Sequence, residues 1–280
     1  MLVAGIVTYN PDIERLTENL EAIAPQVDRI VIVDNGSDNW PAVTKVVARY
    51  PVQIIRNEGN LGVAAALNQI ASEARELGAA WLLTLDQDSV CDAGLVSAYE
   101  KHVGEERVAS MTCRITDRSF SYEEVSTEFV DSCITSGNYI DLSEWERLGG
   151  FDERLFIDKV DTDYCYRLRG DGKRILNVHT SGILHEVGTG TTEHSLLGKK
   201  FVVFNHSAFR VYYLVRNQVY FARKHRQTLG SAGYHRNVRT AWTRIFVYLL
   251  YEGDKVAKVK QWARGLHDGY TMSINSSEGR

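Results

Sequence analysis

Cysteine is scarce in this sequence, and its spacing argues against several classes of site. The four cysteines, at positions 91, 113, 133 and 165, are widely separated. None of their spacings matches a zinc site, a thiol redox motif or a disulfide framework. We therefore expect reduced thiols, most of them buried as small apolar groups, in a cytosolic protein.

Long apolar runs, a basic excess and a signal sequence are also missing. The longest late apolar run, residues 245–251, is too short to cross a bilayer, and the N-terminus has neither a basic segment nor a small-residue cleavage site. A net charge of −4 and a pI near 6.1 give no general basic field for nucleic acid. We expect a cytoplasmic protein without a nucleic-acid partner, at most peripheral on the inner face of the membrane.

Proline is rare, and we find no low-complexity segment and no internal repeat. Only four prolines occur in 280 residues, and no flexible linker is evident. The composition, 44% hydrophobic and 24% charged, is that of a globular chain with one core, or a core and an appendage. Residues 273–280 are expected to form a frayed tail.

The first third of the sequence alternates apolar runs with helical patterns. The apolar runs cover residues 3–7, 30–33, 52–55 and 81–85. Helical patterns cover residues 13–23, 40–50 and 63–77. This alternation predicts βαβ units and a parallel sheet with helices on both faces. Polar residues follow each run, so four polar clusters should meet at the carboxyl edge, where such sheets bind ligands.

The remainder of the sequence is first mixed and then helical. Stretches typical of strands cover residues 108–115, 129–135 and 174–178, with a helical stretch near 161–169. From about residue 201 onward the pattern is helical and rich in aromatic and basic residues. We therefore expect an α/β domain over residues 1–200, made of halves 1–105 and 106–200, and a helical region over 201–280 packed on it.

Two Asp-x-Asp pairs are candidates for chemistry. Asp86 and Asp88 follow an apolar run and should project to one side of an extended chain, where two carboxylates can hold a divalent cation. A polar turn that merely closes the strand is the alternative. Asp161 and Asp163 lie in a helical stretch, where positions i and i+2 do not face each other, so at most one should point into the site.

Two further loops are candidates for nucleotide binding. The stretch 34–38 favours a strand-to-helix loop over a hairpin turn, because residues 40–50 look helical. Asp34 is assigned to hydrogen bonding with a nucleobase or ribose, whereas Ser37 and Asp38 are expected to cap the next helix. The loop 57–62 lacks dinucleotide and P-loop motifs but offers backbone amides at a helix start, where phosphate or ribose binds readily.

Several motifs occur in order along residues 3–225. The first half contains Val7-Thr8-Tyr9-Asn10-Pro11, Val33-Asp34-Asn35-Gly36-Ser37, Asn57-x-x-Asn60-Leu61-Gly62 through Asn68, and Asp86-Gln87-Asp88. The second half contains Ser136-Gly137-Asn138, Gly149-Gly150-Phe151-Asp152-Glu153, the stretch 156–167 with Asp158, Asp161 and Asp163, and His185-Glu186-Val187-Gly188. Together they resemble family 2 glycosyltransferases, and the second set is especially similar to the rhamnosyltransferase branch.

The resemblance implies a GT-A fold, that is, a Rossmann-like, mixed and mostly parallel sheet flanked by helices, with a C-terminal helical extension. It implies an inverting hexosyltransferase of cell-envelope polysaccharide synthesis that uses Mg²⁺ or Mn²⁺. The donor would be a nucleoside-diphosphate sugar, dTDP-rhamnose or, as the alternative, a UDP-hexose. The acceptor would be a glycan or a lipid-linked glycan.

The resemblance also assigns roles to single residues. Asp161 would be the general base, and Asp86, Asp88 and His185 would be metal contacts. The donor-binding residues would be Thr8, Tyr9, Asn10, Asp34, Asn35, Asn57, Asn60, Gly62, Asn68 and Asp86. The acceptor-binding residues would be Ser136, Gly137, Phe151, Asp152 and Asp158.

Several alternatives stay open at this point. Many relatives carry Glu-Asp where this chain has Val160-Asp161, which leaves Asp158 and Asp163 as alternative bases. His185 is also explained as a structural histidine after a strand. A sugar nucleotidyltransferase would require a Gly-rich loop with Arg or Lys after the first strand, and residues 7–11 differ from that. A non-catalytic nucleotide-sugar-binding subunit would have no use for the three aspartates.

The C-terminal region interleaves aromatic and basic residues. Amphipathic helices of this composition can lie on an anionic membrane surface. Ordinary packing, on the catalytic domain or against a second copy in a homodimer, is the favoured interpretation.

Overall fold

The structure is a computed structural model that describes residues 1–117, 128–185, 192–196 and 199–274. The chain divides into two units, Met1–Val187 and Gly188–Arg280. Residues Glu186, Val187 and Gly188 of the last predicted motif, and residues 275–280 of the predicted tail, lie outside the described residues.

The first unit is an α/β structure. Its described strands are β1 (Val3–Thr8), β2 (Arg29–Asp34), β3 (Val52–Arg56), β4 (Trp81–Asp86), β5 (Val90–Cys91), β6 (Val108–Asp117), β7 (Phe129–Val130), β8 (Asn138–Asp141) and β9 (Arg174–His185). Its helices are α1 (Ile13–Ile23), α2 (Trp40–Val47), α3 (Val63–Glu76), α4 (Leu95–Glu100), α5 (Leu142–Arg147) and α6 (Val160–Gly170), with short 3-10 helices at Ala24–Gln26 and Glu153–Leu155.

These strands form one mixed, mostly parallel sheet. The order is β3-β2-β1-β4-β8-β6-β9-β5, and β7 pairs with β9. The strands β1 to β4 are parallel, whereas β8 is antiparallel to both β4 and β6. The register places Thr8 opposite Asp34, and Asp34 opposite Arg56, so the carboxyl ends of three strands are level. The predicted sheet is thus confirmed, and ligand binding at this edge stays a prediction.

Local sequence explains the early elements. Helix α1 begins after Asp12, whose side chain accepts hydrogen bonds from two backbone amides of the first turn, and it buries Leu16, Leu20 and Ile23 against the sheet. Helix α3 packs an alanine-rich face close to the strands. A methyl group on Gly5 of β1 would overlap with Ile70 of α3. A glycine is therefore needed where this helix crosses β1.

Two predictions for the middle of the chain need correction. The strand predicted over 129–135 is limited to Phe129–Val130, and the following residues turn toward β8. The strand predicted over 174–178 instead continues to His185. Its pairing with β6 shifts register between Cys113 and Arg114, so that β9 bends, with β7 paired to its first half and β5 to its end. This bent strand delivers His185 to the carboxyl edge.

The second unit contains a hairpin and three helices in its described residues. Strands β10 (Thr192–Leu196) and β11 (Lys199–Val203) are antiparallel, so the helical pattern predicted from residue 201 actually begins at α7 (Ala208–Lys224). It continues with α8 (Arg226–Leu250), which is kinked at Gly230, and α9 (Lys255–Thr271). No helix in the part of the chain that the structure describes is both long and apolar enough to span a bilayer.

Close helix packing holds the second unit together. Val211, Val215 and Val219 of α7 form a core with Ala241, Tyr248 and Leu266. A Cβ atom on Gly265 or Gly269 of α9 would lie 2.7 Å from a backbone oxygen of α7. Two glycines one helical turn apart thus let the α7 and α9 backbones approach each other.

Candidate active site

The loops that follow β1 and β2 are tied together by Asp34. Its buried carboxylate accepts hydrogen bonds from Thr8 Oγ1 at 3.1 Å, Ser37 N at 3.0 Å and Ser37 Oγ at 2.5 Å. Ser37 Oγ in turn accepts a hydrogen bond from Asn10 N at 2.8 Å. Asp34 therefore orders this edge from beneath its surface, and direct contact of its carboxylate with a nucleoside stays a prediction.

Helix α2 is not capped by Ser37 or Asp38. The residue at the cap position is Asn39, whose side chain makes no capping hydrogen bond and donates instead to Pro11 O at 2.8 Å. Asp38 N donates to Asn10 Oδ1 at 2.8 Å. The capping prediction was wrong: Asn39 occupies the cap position, and the Ser37 hydroxyl is bonded to Asp34 and Asn10 instead.

Amide side chains fix the start of α3. Asn57 Nδ2 donates to Asn35 Oδ1 at 2.9 Å and to Gln69 Oε1 at 3.0 Å, and Gln69 Nε2 donates back to Asn57 Oδ1 at 3.0 Å. Asn35 Nδ2 donates to Gly62 O at 3.2 Å, and Asn60 Oδ1 accepts from Gly62 N at 2.9 Å. Asn35, Asn57, Asn60 and Gly62 thus lie together as predicted, but their side chains shape the loop rather than project from it.

The groups that face outward at this edge are different ones. Tyr9 is exposed at the end of β1, and its backbone N–H donates to Gln87 Oε1 at 2.9 Å. The guanidinium of Arg56 lies 4.7 Å from the centre of the Trp40 ring, and Arg56 Nε is 3.8 Å from Asp34 Oδ2. Arg56 and Gln87 belong to the polar clusters predicted at this edge, whereas no sequence motif pointed to Trp40.

Two carboxylates and one imidazole form a cluster at the end of β4. They belong to Asp86, Asp88 and His185. One ligand atom of each lies within 4.8 Å of the others. His185 Nδ1 is 3.7 Å from Asp88 Oδ1 and 4.0 Å from Asp86 Oδ2. Two carboxylates and an imidazole suit a divalent cation such as Mn²⁺ or Mg²⁺. The residues present therefore fit the predicted metal, and the predicted triad is brought together from two distant parts of the chain.

The charge in this cluster changes the acidity of Asp86. Desolvation by the surrounding protein is the largest cause that raises its pKa to about 6. His185 lowers this pKa, whereas the charges of Asp88 and Asp161 raise it further. Like charges placed close together disfavour full ionisation. The cluster is electrostatically strained without a cation, which is the usual signature of a site that binds one.

Buried polar side chains hold the cluster in place. Ser136 Oγ donates to Ser89 Oγ at 2.6 Å and accepts from Asp86 N at 3.1 Å, and a 2.9 Å hydrogen bond joins Ser89 Oγ to His185 Nδ1. Asn19 Nδ2 donates to Asp86 O at 2.8 Å and to Ser89 O at 2.7 Å. The assignment of Ser136 to the acceptor needs correction, because this fully buried hydroxyl supports the cluster from behind.

Helix α6 separates the two aspartates of its first turn. Asp163 is buried and accepts a hydrogen bond from Arg167 Nε at 2.8 Å, while the Arg167 guanidinium also donates to Leu148 O and Gly150 O. Asp161 instead influences the charge of Asp86, and burial raises its own pKa despite hydrogen bonds from Thr162. Asp161 thus lies near the acidic cluster, whereas the Asp163 carboxylate is held in a buried ion pair. The assignment of Asp161 as the base stays a prediction.

Four more of the predicted site residues make close contacts within the protein. The amide of Asn68 uses its full capacity within the protein, donating to Phe151 O and Glu153 Oε1 and accepting from Phe151 N and Trp145 Nε1. Phe151 is buried against Tyr164, and the buried Asp152 side chain receives two hydrogen bonds from the Arg154 guanidinium. Gly137 has no room for a side chain beside Cys113. Contacts of these four residues with donor or acceptor therefore stay predictions.

The donor half and the acceptor half meet at Gly62. Its φ is +91°, and a Cβ atom there would lie 2.7 Å from Phe156 O. Val63 N donates a 2.6 Å hydrogen bond to the same oxygen. Phe156, Asp158 and Lys159 all have positive φ, which is uncommon for residues with side chains. The segment that leads into Asp161 is therefore held in a constrained conformation against the start of α3.

Residues 4–172 match the family described as Glycosyl transferase family 2. The chain belongs to this family. It is therefore a glycosyltransferase, and the alternative of a sugar nucleotidyltransferase falls away.

Individual relatives refine this assignment. The glycosyltransferase is 28% identical over 242 residues to dTDP-rhamnosyl transferase RfbF of Shigella flexneri, covering 80% of each chain. Among solved structures, S. aureus TarS 1-349 superposes with a TM-score of 0.63 at 16% identity, over 96% of this chain and 80% of that one. GalNAc-T7 with UDP, GalNAc and Mn²⁺ superposes with a TM-score of 0.63 at 14% identity, over 97% and 56%. These likenesses confirm the GT-A fold.

Proposed function

We propose that this glycosyltransferase moves L-rhamnose from dTDP-L-rhamnose to a glycan or lipid-linked acceptor, with inversion, in cell-envelope polysaccharide synthesis. The observation that carries the proposal is the similarity to a dTDP-rhamnosyl transferase over 80% of both chains. The acceptor-half motifs, which resemble the rhamnosyltransferase branch, support the same donor.

Asp86, Asp88 and His185 would hold a divalent metal ion. When bound, such an ion supplies Lewis-acid neutralisation of the charge that develops on a departing nucleoside diphosphate. The chain's own part is to position the ligands: Ser89 hydrogen-bonds the imidazole, and Ser136 hydrogen-bonds both Ser89 and the Asp86 amide. Buried partners of this kind orient ligands before the substrate arrives.

Asp161 is proposed as the general base. Its carboxylate would take the proton from the acceptor hydroxyl as that oxygen attacks the anomeric carbon from the face opposite the leaving group, which inverts the configuration. The raised pKa makes the carboxylate a stronger base than an ordinary aspartate. Asp158, two residues before the helix, is left as an acceptor contact.

The nucleoside would lie along the carboxyl ends of β1, β2 and β3. Thr8 and Asp34 order this edge from below, while Tyr9, Asn10 and Arg56 are the groups exposed to a ligand. An exposed aromatic ring offers a stacking surface for a base. The side chains of Asn35, Asn57 and Asn60 keep the phosphate-proximal loop in shape.

A panel of donors tests the proposal. With Mg²⁺ or Mn²⁺ present, dTDP-rhamnose is expected to raise the melting temperature more than UDP-glucose, UDP-galactose or GDP-sugars, because a ligand that binds only the folded state stabilises it. Sugar transfer measured with the same panel should follow the same order. Preference for a UDP-hexose would replace the rhamnosyl assignment, and no shift with any donor would contradict the nucleotide-sugar site as a whole.

A further inference from the structure

Helix α8 carries an exposed apolar stripe. Trp242, Phe246, Leu249 and Leu250 are 47%, 61%, 42% and 65% exposed, and their spacing places them on one side of the helix. The opposite side of α8 already packs on α7 and α9 through Ala241 and Tyr248. A helix that covers a core normally turns a polar face outward. Helix α8 is therefore apolar on an exposed face as well as on the face that packs on α7 and α9.

The aromatic residue of the stripe is held in place. Trp242 packs edge-on against Trp262 of α9, with ring centres 5.4 Å apart, and Trp242 Nε1 donates to Tyr270 OH at 3.3 Å. Trp262 Nε1 is in turn bonded to Ala241 O at 2.9 Å. An ordered, half-exposed tryptophan with its polar edge satisfied costs little side-chain entropy when it enters an interface.

Positive charge surrounds the stripe. Residues 188–280 contain 15 Lys and Arg against 5 Asp and Glu, a net charge of +10, whereas residues 1–187 contain 17 against 31, a net charge of −14. Helix α8, which carries the stripe, and helix α9 also expose basic side chains. These are Arg236, Arg239, Lys255 and Lys260. The stripe is thus an apolar strip within a cationic surface.

We propose that the α8 stripe docks this glycosyltransferase on an anionic lipid bilayer. An interfacial helix inserts its apolar side chains into the headgroup region while Lys and Arg contact anionic lipids, and this surface supplies both. A second copy is a poorer occupant, because a self-complementary interface would bring together two copies of a region whose net charge is +10. The proposal is independent of the donor sugar.

Vesicle flotation of the full chain tests the proposal. The wild-type protein is expected to float with vesicles of phosphatidylcholine containing roughly 30% phosphatidylglycerol, to stay unbound with phosphatidylcholine alone, and to dissociate as salt is raised toward about 0.5 M. The double variant Phe246→Ser, Leu250→Ser should bind at least tenfold more weakly. The double variant Arg236→Gln, Arg239→Gln should lose about fivefold per arginine.

Matched controls separate docking from unfolding and from self-association. Phe209→Ser removes an aromatic side chain of similar exposure on α7, outside the stripe, and should float like the wild type. Circular dichroism melting and donor binding in solution should be unchanged in all variants. Flotation that is equal for the Phe246 variant and the wild type overturns the proposal. So does absence of flotation together with a concentration-dependent dimer that the same substitutions dissociate, which would identify a second copy as the occupant.

Discussion

Asp161 and Asp163 show how two identical residues in one helical turn acquire different roles. A helix rotates about 200° over two residues, so their carboxylates leave the helix in different directions. Asp161 lies near the cluster of Asp86, Asp88 and His185. Asp163 forms an ion pair with Arg167. The role of each aspartate therefore depends on its position around the helix as much as on its residue type.

Replacement of Asp161 gives the sharpest test of the base. Asp161→Asn keeps the size of the side chain but cannot accept a proton, so turnover is expected to fall by about 10²–10⁴-fold. Donor affinity, measured by calorimetry, should stay close to that of the wild type. Asp158→Asn is the comparison variant: loss of an acceptor contact should raise the KM for the acceptor and leave kcat little changed. Loss in Asp158→Asn with activity retained in Asp161→Asn would move the base to the preceding loop.

Asp86 predicts a pH dependence of metal binding. Its pKa of about 6 in the metal-free protein means that protons compete with the cation below that pH, so Mn²⁺ affinity measured by calorimetry should fall as the pH drops from 7 to 5.

The same raised pKa has a consequence for stability. A carboxyl group whose pKa is raised in the folded state stabilises the fold only below its unfolded pKa, and that stability is lost as the pH rises through 6. In EDTA, Asp86→Asn should therefore melt above the wild type at pH 7, with the difference shrinking toward pH 4. A difference independent of pH would contradict the assigned origin of the shift.

At the scale of elements, α6 is anchored by Arg167 rather than by its aspartates alone. The guanidinium joins Asp163 to two backbone oxygens of the loop after α5. Arg167→Leu leaves a buried carboxylate without its counter-charge and is expected to cost about 3–5 kcal/mol of unfolding free energy. Arg169→Leu, on the same helix, breaks an exposed pair with Asp131 and should cost less than about 1 kcal/mol. Urea denaturation of both variants distinguishes them, and equal losses would contradict this account of α6.

The start of α3 offers a second paired test. Gly62→Ala places a methyl group against Phe156 at a φ of +91° and a ψ of 165°, a region that essentially only glycine adopts. Gly78→Ala also has a positive φ, +86°, but has open space around it. Gly78→Ala should cost about 1 kcal/mol, the ordinary price of a left-handed alanine. Gly62→Ala should cost clearly more, by the same denaturation measurement. Similar values for both would show that the loop around Phe156 yields easily.

Sequence patterns predicted elements better than they predicted the direction of side chains. The strands β1 to β4 and the helices α1 and α3 follow directly from apolar periodicity, because burial decides both. Asn68 and Asn19 make hydrogen bonds to segments more than 60 residues away, and a motif does not specify such contacts. Asp152 caps a short helix, which its motif does not specify either. The triad of Asp86, Asp88 and His185 was predictable only because motifs in both halves were considered together.

At the scale of the whole molecule, the net charge of −4 conceals two oppositely charged parts. Binding to a cation exchanger depends on the charges within about 10 Å of the resin, because salt screens the more distant ones. Above its pI of 6.1 the protein should therefore still be retained on such a resin, and Arg236→Gln, Arg239→Gln should elute at lower salt. Unretained passage of the wild type at pH 7.5 would show that the positive surface is neutralised within the protein.

The hydrogen bond from Val63 to Phe156 has a consequence for steady-state kinetics. One oxygen of the acceptor segment completes the first turn of the helix against which the donor is expected to bind. The two proposed substrate sites would therefore share a backbone contact, so that movement of one loop should affect the other. A change that loosens the donor loop should raise the KM for the acceptor as well as the KM for the donor, and a saturating donor should restore part of the acceptor affinity.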